Sequence, residues 1–183
     1  FQLNYEIDCN FIKASEKRKK KLLIADMDST IIKEESLDEL ARQIGKGKEF
    51  SFITNEAMSG RVEFKKALKD RVAILKGNST DILETLKKNI NINDGAKELV
   101  KTMKVNGSIT VLVSGGFTFL TEYLKDLLDF THTHANTLQI AQKNLEKFEI
   151  TGKVEEPILD KKAKLEYLNK YVKKYNLNYK DTI

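Results

Sequence analysis

The stretch from Lys21 to Thr30, KLLIADMDST, restricts the possible folds of this chain more than any other segment. The short apolar run from Leu22 to Ala25 is typical of a strand buried on both faces, and Asp26 and Asp28 follow it directly. Open α/β sheets bind ligands beyond the carboxyl ends of their strands, so the acidic pair is predicted to lie at the functional edge. An Asp-x-Asp alone is also compatible with an acidic turn or a helix cap.

Length and composition predict one soluble domain with an inserted subdomain. The chain has 183 residues, 40% of them hydrophobic, and no apolar run approaches the roughly eighteen residues that a membrane span needs. The single cysteine, Cys9, excludes an internal disulfide and favours a cytoplasmic location. Because the chain starts at Phe1, without a signal-peptide pattern, we expect that the natural polypeptide begins further upstream.

The positive charge does not predict nucleic-acid binding. Net charge is +5, but the basic residues are mostly dispersed lysines, with arginine only at positions 18, 42, 61 and 71. The tightest basic cluster, Lys17 to Lys21, is interpreted as a solvated linker rather than a polyanion-binding patch. We expect a small-molecule substrate, no nucleic acid or membrane partner, and a monomer or homodimer.

Hydrophobic periodicity predicts an α/β protein with three parts. Residues 1–20 are assigned to an N-terminal extension, in which Phe1 to Phe11 alternates as a half-buried strand, and a basic linker. Residues 21–33 and 92–183 are assigned to the core, and 34–91 to a helical insert. Predicted helices cover residues 36–44, 52–58, 62–75, 82–86, 96–103, 117–128 and 160–175. The segment Asn93-Asp94-Gly95 is predicted to cap the helix at 96–103, and the last helix is predicted to turn Leu165, Leu168, Tyr171 and Val172 inward. Further strands are predicted at 108–113, within 131–154 as a strand and a hairpin, and at 179–183 as the opening of a strand. This alternation implies a parallel sheet with helices on both faces.

The acidic pair is suited to phosphoryl transfer. A carboxylate is a competent nucleophile towards phosphorus, and we assign that role to Asp26. Asp28 is placed to protonate a leaving alkoxide and later to deprotonate a water. Such a site needs a divalent cation, and Mg²⁺ is commonly held by one or two carboxylates together with substrate oxygens, so both residues are also candidate metal ligands.

Phosphate-binding groups are predicted on two further elements. Ser114-Gly115-Gly116 follows the second apolar strand and offers a hydroxyl and approachable backbone N–H groups, although a plain strand-to-helix turn explains the motif equally well. Lys164 on the last predicted helix adds a point charge, and by itself it would be assigned to the surface.

Candidates for substrate recognition lie in the helical insert. A planar guanidinium such as that of Arg71 suits a carboxylate, while Glu35 supplies a negative charge; both are equally interpretable as surface charges. Met58 and Phe64 are interpreted as helix-face core or pocket wall. His132 and His134 form an H-x-H pair without a third ligand, which is more often structural than metal-binding.

Together these motifs resemble the phosphoserine phosphatases of the haloacid dehalogenase superfamily, over about residues 21–183. Asp26 to Thr30 is similar to that family's first motif, Val113 to Phe117 to its second, and Ala163-Lys164 to its third. Similarity around Met58 and Arg71 in the insert specifies the substrate class. The resemblance implies a Rossmann-like parallel sheet with a helical, C1-type cap after the first strand.

The resemblance also implies a role for each candidate residue. Hydrolysis of O-phosphoserine, the last step of serine biosynthesis, would pass through a phosphoryl group on the first aspartate of the pair, with the second as acid and base. Mg²⁺ would bind the Asp26 carboxylate and the Asp28 backbone carbonyl. The phosphate would be held by Ser114, Gly115 and Lys164; the amino and carboxylate groups of the substrate by Glu35 and Arg71; and the pocket would be lined by Met58 and Phe64.

One part of the family pattern is absent from the sequence. A fourth motif, Gly-Asp-Gly-x-x-Asp, would begin directly after Asp181-Thr182-Ile183, where the sequence ends. We therefore expect that the C-terminal part of the core lies beyond this sequence, and that the 183-residue form by itself is inactive or a structural remnant. Two other functions stay open: a phosphatase for another small phosphate ester, and a receiver domain that signals through a phosphorylated aspartate.

Overall fold

The computed structural model describes residues 18–183, apart from the side chains of Met58 and Lys161. The strand predicted at Phe1 to Phe11 therefore lies outside the described residues. None of the helices in residues 18–183 combines the length and apolar character that crossing a bilayer requires.

The elements follow the predicted order of a strand, helices, a strand, a helix and a hairpin. They are β1 (Leu22–Ala25), α1 (Ser36–Gln43), α2 (Gly47–Met58), α3 (Phe64–Ile74), α4 (Asp81–Asn89), α5 (Ala96–Val105), β2 (Ile109–Phe117), α6 (Thr118–Leu128), β3 (His132–Asn136), β4 (Leu138–Gln142), β5 (Phe148–Val154), α7 (Lys161–Lys174) and a short 3₁₀ helix (Tyr179–Asp181). The helical insert expected at 34–91 contains α1 to α4; that it is a separate subdomain stays a prediction.

A parallel sheet forms the centre of the core, as predicted. β2 lies between β1 and β3 and pairs in parallel with both. The last residues add to the free edge of β1, where Thr182 forms a parallel bridge with Leu22 and the backbone N–H of Ile24 donates to the carbonyl of Ile183 at 2.9 Å. Leu22 and Val111 are fully buried, which explains the continuous apolar runs in these strands.

The two chain segments that lead into and out of the insert lie side by side. Ile32 and Ile92 form an antiparallel bridge, and the Glu34 carboxylate accepts hydrogen bonds from the backbone and side-chain amide of Asn91 at 3.0 and 2.7 Å. The predicted capping segment Asn93-Asp94-Gly95 does precede α5, but no side chain of the described residues caps the helix, and the Asn93 side chain does not bond to its first turn. Its amide instead donates to backbone carbonyls in the entering segment, and Gly95, with a φ of +83°, precedes the helix.

The hairpin β4–β5 connects the insert to the core. The N–H of Gly77 donates to the carbonyl of Ile150 at 2.8 Å, and the N–H of Ile150 donates to the carbonyl of Asn78 at 2.9 Å. Gly152 on the hairpin has a φ of +79° and lies so close to α3 that a Cβ would stand 2.9 Å from the Cβ of Lys76. The insert is thus fixed both at its connecting segments and along α3.

Helix α7 packs on β3 through stacked rings. The ring of His134 stacks on Tyr167 with centroids 3.7 Å apart, and its Nε2 lies 2.8 Å from the hydroxyl of Tyr171. His132 makes the same type of contact with Tyr175 at 3.0 Å, in agreement with a structural role for the H-x-H pair. The prediction that Leu165 points inward is wrong: it is 60% exposed, because the buried position at that end of the helix is taken by Ala163.

The neutral form of His134 should stabilise the fold. Burial and the nearby charge of Lys170 lower the pKa of His134 from 6.5 to about 4, while the charge of Glu122 opposes that shift. Because the pKa is lower in the folded state, this contribution is complete above about pH 6.5 and is lost as the pH falls towards 4. We expect His134→Phe, which keeps a stacking ring but cannot titrate, to flatten the loss of thermal stability between pH 7 and pH 4.5. Equal slopes for the two proteins in a thermal unfolding series would contradict this.

Candidate active site

Asp26 and Lys164 meet at the carboxyl end of β1. The sequence separates them by 138 residues, yet the Lys164 ammonium donates to Oδ2 of Asp26 in a direct ion pair. The other carboxylate oxygen accepts the backbone N–H of Met27 at 2.9 Å. The predicted nucleophile and the predicted phosphate-binding cation therefore face one another across the sheet edge.

Asp28 lies in a buried environment with other negative charges nearby, which raises its pKa. Burial raises its pKa from 3.8 to about 6, and the negative charges of Glu35 and Asp26 add to that rise. Its Oδ1 accepts the backbone N–H of Ser36 at 3.0 Å, at the first turn of α1, which opposes the shift. The second aspartate is thus partly protonated near neutral pH and is bonded to the first helix of the insert.

The Ser114-Gly115-Gly116 segment is part of β2 rather than a loop after it. The strand continues to Phe117, with a register shift against β3 between Val113 and Phe117, so the predicted end of this strand at residue 113 is too early. The buried hydroxyl of Ser114 accepts the backbone N–H of Gly116 at 2.9 Å. The irregular register re-aims this segment toward the aspartate pair.

Gly116 is a site residue that the sequence reasoning missed. A Cβ at this position would stand 2.9 Å from Cε of Met27, 3.1 Å from Oγ of Ser114 and 3.2 Å from Oδ2 of Asp28. Only glycine lets the second strand approach the acidic pair this closely. The second glycine of the motif was the available signal, but its neighbours in space were not visible in the sequence.

The helical insert closes over the same edge. The Phe64 ring of α3 lies 3.3 Å from where a Cβ of Gly115 would be, so it contacts the backbone of the predicted phosphate-binding segment. The Glu35 carboxylate accepts the hydroxyl of Ser29 at 2.6 Å and contributes negative charge at Asp28. Both insert residues are therefore brought to the core, as expected.

Arg71 is half-buried in α3 and faces acidic residues. Its Nε donates to the carbonyl of Ala67 at 3.3 Å, and the guanidinium lies 5.6 Å from the ring centroid of Phe50. Burial lowers the pKa of Arg71, whereas the charges of Asp38, Glu35 and Asp28 raise it. Among residues 18–183, no carboxylate lies within ion-pair distance of this guanidinium.

Asp38 is a second charged neighbour that the sequence reasoning did not single out. It lies one turn after Glu35 in α1, and burial raises its pKa, with the Glu35 charge adding to the rise and the Arg71 charge opposing it. Helical spacing from Glu35 was the available signal. Met58, the remaining predicted pocket residue, has a side chain outside the described part of the chain.

Apart from Met58, the structure thus brings the predicted residues of the core and of the insert towards the same edge of the sheet. Within residues 18–183, no three or more His, Cys, Asp or Glu side chains form a group that could hold a metal ion.

Comparison with known proteins agrees with this arrangement. Residues 23–183 match the family model of the haloacid dehalogenase-like hydrolases. The chain belongs to this family. The fold class, an α/β core with a parallel sheet and an inserted set of helices, is confirmed.

Relatives with this fold include phosphoserine phosphatases. A probable phosphoserine phosphatase of Schizosaccharomyces pombe is 38% identical over 97% of this chain, which spans 59% of that relative's length. A solved substrate-bound phosphoserine phosphatase complex is 36% identical with a TM-score of 0.80, over 91% of this chain and 77% of that one. A phospho-aspartyl intermediate analogue of phosphoserine phosphatase is 36% identical with a TM-score of 0.79, over 90% and 77%. That the natural polypeptide continues past Ile183 stays a prediction.

Replacing Ser36 by proline should raise the pKa of Asp28 above its value of about 6. Proline is tolerated at the first position of a helix, and the preceding residue, Glu35, already has an extended φ and ψ of −92° and 104°. The substitution removes both the backbone N–H that donates to Asp28 and the serine hydroxyl, so the charged carboxylate loses stabilisation.

Carbon-13 NMR titration of the aspartate carboxyls, assigned with Asp28→Asn, measures this pKa. Ser36→Ala keeps the backbone N–H and is the matched control, for which we expect a smaller rise. If the proline and alanine variants titrate alike, the backbone hydrogen bond does not set the protonation of Asp28.

Proposed function

We propose that this chain carries the catalytic machinery of a phosphatase that hydrolyses O-phosphoserine to serine and phosphate. The similarity to phosphoserine phosphatases over almost the whole chain supports the reaction. The observation that carries the proposal is that two aspartates in different environments follow the end of β1. Asp26 forms an ion pair with Lys164, whereas the pKa of Asp28 is raised to about 6.

The two aspartates divide the chemistry between them. An Asp26 carboxylate oxygen attacks phosphorus, the bond from phosphorus to the serine oxygen breaks, and Asp28 donates its proton to that oxygen. Water then attacks the phosphoryl group on Asp26 as Asp28 takes up its proton, and free phosphate leaves. A carboxyl with a pKa near 6 exchanges a proton in both directions at neutral pH, which suits the second aspartate to both steps.

The charges around Asp26 suit an anionic phosphoryl group. The Lys164 ammonium pairs with the carboxylate and reaches the position where phosphate oxygens would lie. The Ser114 hydroxyl, whose oxygen accepts the N–H of Gly116 and whose own hydrogen can be donated, would supply a further donor from β2 together with the backbone of this segment. Phosphate would add negative charge beside the Lys164 ammonium, which pairs with Asp26 in the free site.

Mg²⁺ is the cofactor that best fits these donors. Phosphatases of this family are in general metal-dependent. Hard oxygen donors suit Mg²⁺, which usually keeps several waters and takes few protein carboxylates. The Asp26 carboxylate and the Asp28 backbone carbonyl would hold the ion, which would neutralise phosphate charge when bound.

The insert would recognise the amino-acid part of the substrate. Arg71 is half-buried near acidic groups, and no carboxylate of residues 18–183 lies at ion-pair distance from it, so we assign it the substrate carboxylate. Glu35 takes the ammonium group, and Phe64 forms the wall between the phosphate-binding segment and α3. Asp38 balances the guanidinium before substrate enters.

Replacing the nucleophile is the direct test of this function. In the natural polypeptide that carries these residues, Mg²⁺-dependent phosphate release from phosphoserine should fall by at least about a thousandfold in Asp26→Asn, since a neutral amide does not attack phosphorus. Asp129→Asn is the matched control: Asp129 lies at the exposed end of α6 with a φ of +64°, which asparagine also adopts. Activity retained by Asp26→Asn would overturn the assignment, and a phosphoryl-Asp26 that persists without turnover would favour the receiver function.

Arg71→Ala should reduce the use of phosphoserine far more than that of an aryl phosphate without a carboxylate. Losing one side of a buried charge pair costs roughly 2 kcal/mol or more, which corresponds to about a 30-fold loss in kcat/KM for phosphoserine. Arg61→Ala, an exposed arginine of the same insert that pairs with Glu56, is the matched control. Parallel losses on both substrates would show that Arg71 does not read the carboxylate.

A further inference from the structure

Asn136 is a buried polar residue to which neither the sequence motifs nor the proposed chemistry assigns a task. It ends β3, is 2% exposed, and lies 22 residues after Ser114 in sequence. Buried amides are costly unless their donors and acceptors are paired, so the partners of this side chain indicate what it does.

The side chain of Asn136 joins two segments that lie far apart in the sequence. Its Nδ2 donates to the carbonyl of Gly115 at 2.8 Å and to the carbonyl of Leu159 at 3.3 Å. Its Oδ1 accepts the N–H of Leu159 at 2.7 Å. One amide thus holds both backbone groups of Leu159 against the backbone of the predicted phosphate-binding segment.

Each of the two segments leads directly to a phosphate-binding group. Gly115 is the middle residue of the segment that presents Ser114 and backbone N–H groups beside Asp28. On the other side, Leu159 precedes Asp160, whose carboxylate caps α7 by accepting the N–H of Lys162 at 2.8 Å. Lys164 lies in the first turn of that helix, so the position of its ammonium depends on where α7 begins.

We infer that Asn136 is a positioning residue, which sets the distance between the β2 donors and the Lys164 ammonium and thereby the fit of the site to a phosphoryl group. The inference rests on the proposed phosphatase function. Asn136 does not act on the amino-acid part of the substrate, because its partners lie on the core and not on the insert. Errors of about 1 Å in such positions can reduce rates by about a hundredfold.

The test compares two variants that remove different hydrogen bonds. Asn136→Asp keeps the acceptor for the Leu159 N–H but places an oxygen against the carbonyls of Gly115 and Leu159, whereas Asn136→Ala removes all contacts. In the natural polypeptide we expect kcat for phosphoserine to fall about a hundredfold in both variants. We expect the inhibition constant of inorganic phosphate to rise about tenfold, and that of serine to stay within about twofold.

Ser108→Ala is the matched control for lost stability. Ser108 is also buried, and its hydroxyl donates to the carbonyl of Lys20 at 2.7 Å at the opposite end of the sheet. Assayed below its unfolding temperature, this variant should keep both inhibition constants.

The inference is overturned if the Asn136 variants bind phosphate as the wild type does, or if phosphate and serine binding weaken together. A wild-type protein without phosphatase activity would instead refute the proposed function.

Discussion

The hydrogen bond between the backbone N–H of Ser36 and the carboxylate of Asp28 is the contact on which the organisation of this site depends. It joins the end of β1 to the first turn of the inserted helices, and it does so at the carboxyl group whose protonation matters most. Burial raises the pKa of that carboxyl, and the hydrogen bond from the helix N–H opposes the rise. Loss of this hydrogen bond would remove one of the contacts that lower the pKa of Asp28, so the position of the first insert helix bears directly on the proton affinity of that carboxyl group.

The core and the insert contribute different kinds of groups. In the proposed function, the sheet edge supplies Asp26, Asp28, Ser114 and Lys164, which would act on a phosphoryl group whatever it is attached to. The insert would supply a guanidinium and carboxylates that distinguish one ester from another. Because the hairpin β4–β5 hydrogen-bonds to the chain just after α3, the helix that carries Arg71 is held by the core as well as by its connecting segments.

The sequence could predict those features that depend on local periodicity. Leu22 to Ala25 and residues 108–113 read as buried strands because both faces are covered, and the acidic pair directly after the first strand indicates the functional edge. Gly116 and Asn136 could not be found in this way, because the atoms that pack against them include groups about 20 to 90 residues away along the chain. The exposure of Leu165 was missed for a related reason: amphipathic periodicity does not show where a helix leaves the sheet it packs on.

The start of α7 illustrates which interactions determine the position of the site. Two ion pairs link this region to α3, from Lys65 to Asp160 at 3.9 Å and from Lys69 to Glu156 at 2.7 Å, and each has at least one well-exposed side chain, with Asp160 partly buried. Exposed pairs of this kind contribute little, about 0 to 1 kcal/mol, and they weaken with salt. The Asn136 hydrogen bonds are buried and tie the same loop to β2. Leaving a buried amide without hydrogen bonds costs more folding free energy than breaking an exposed ion pair. The core rather than the insert therefore fixes the position of Lys164.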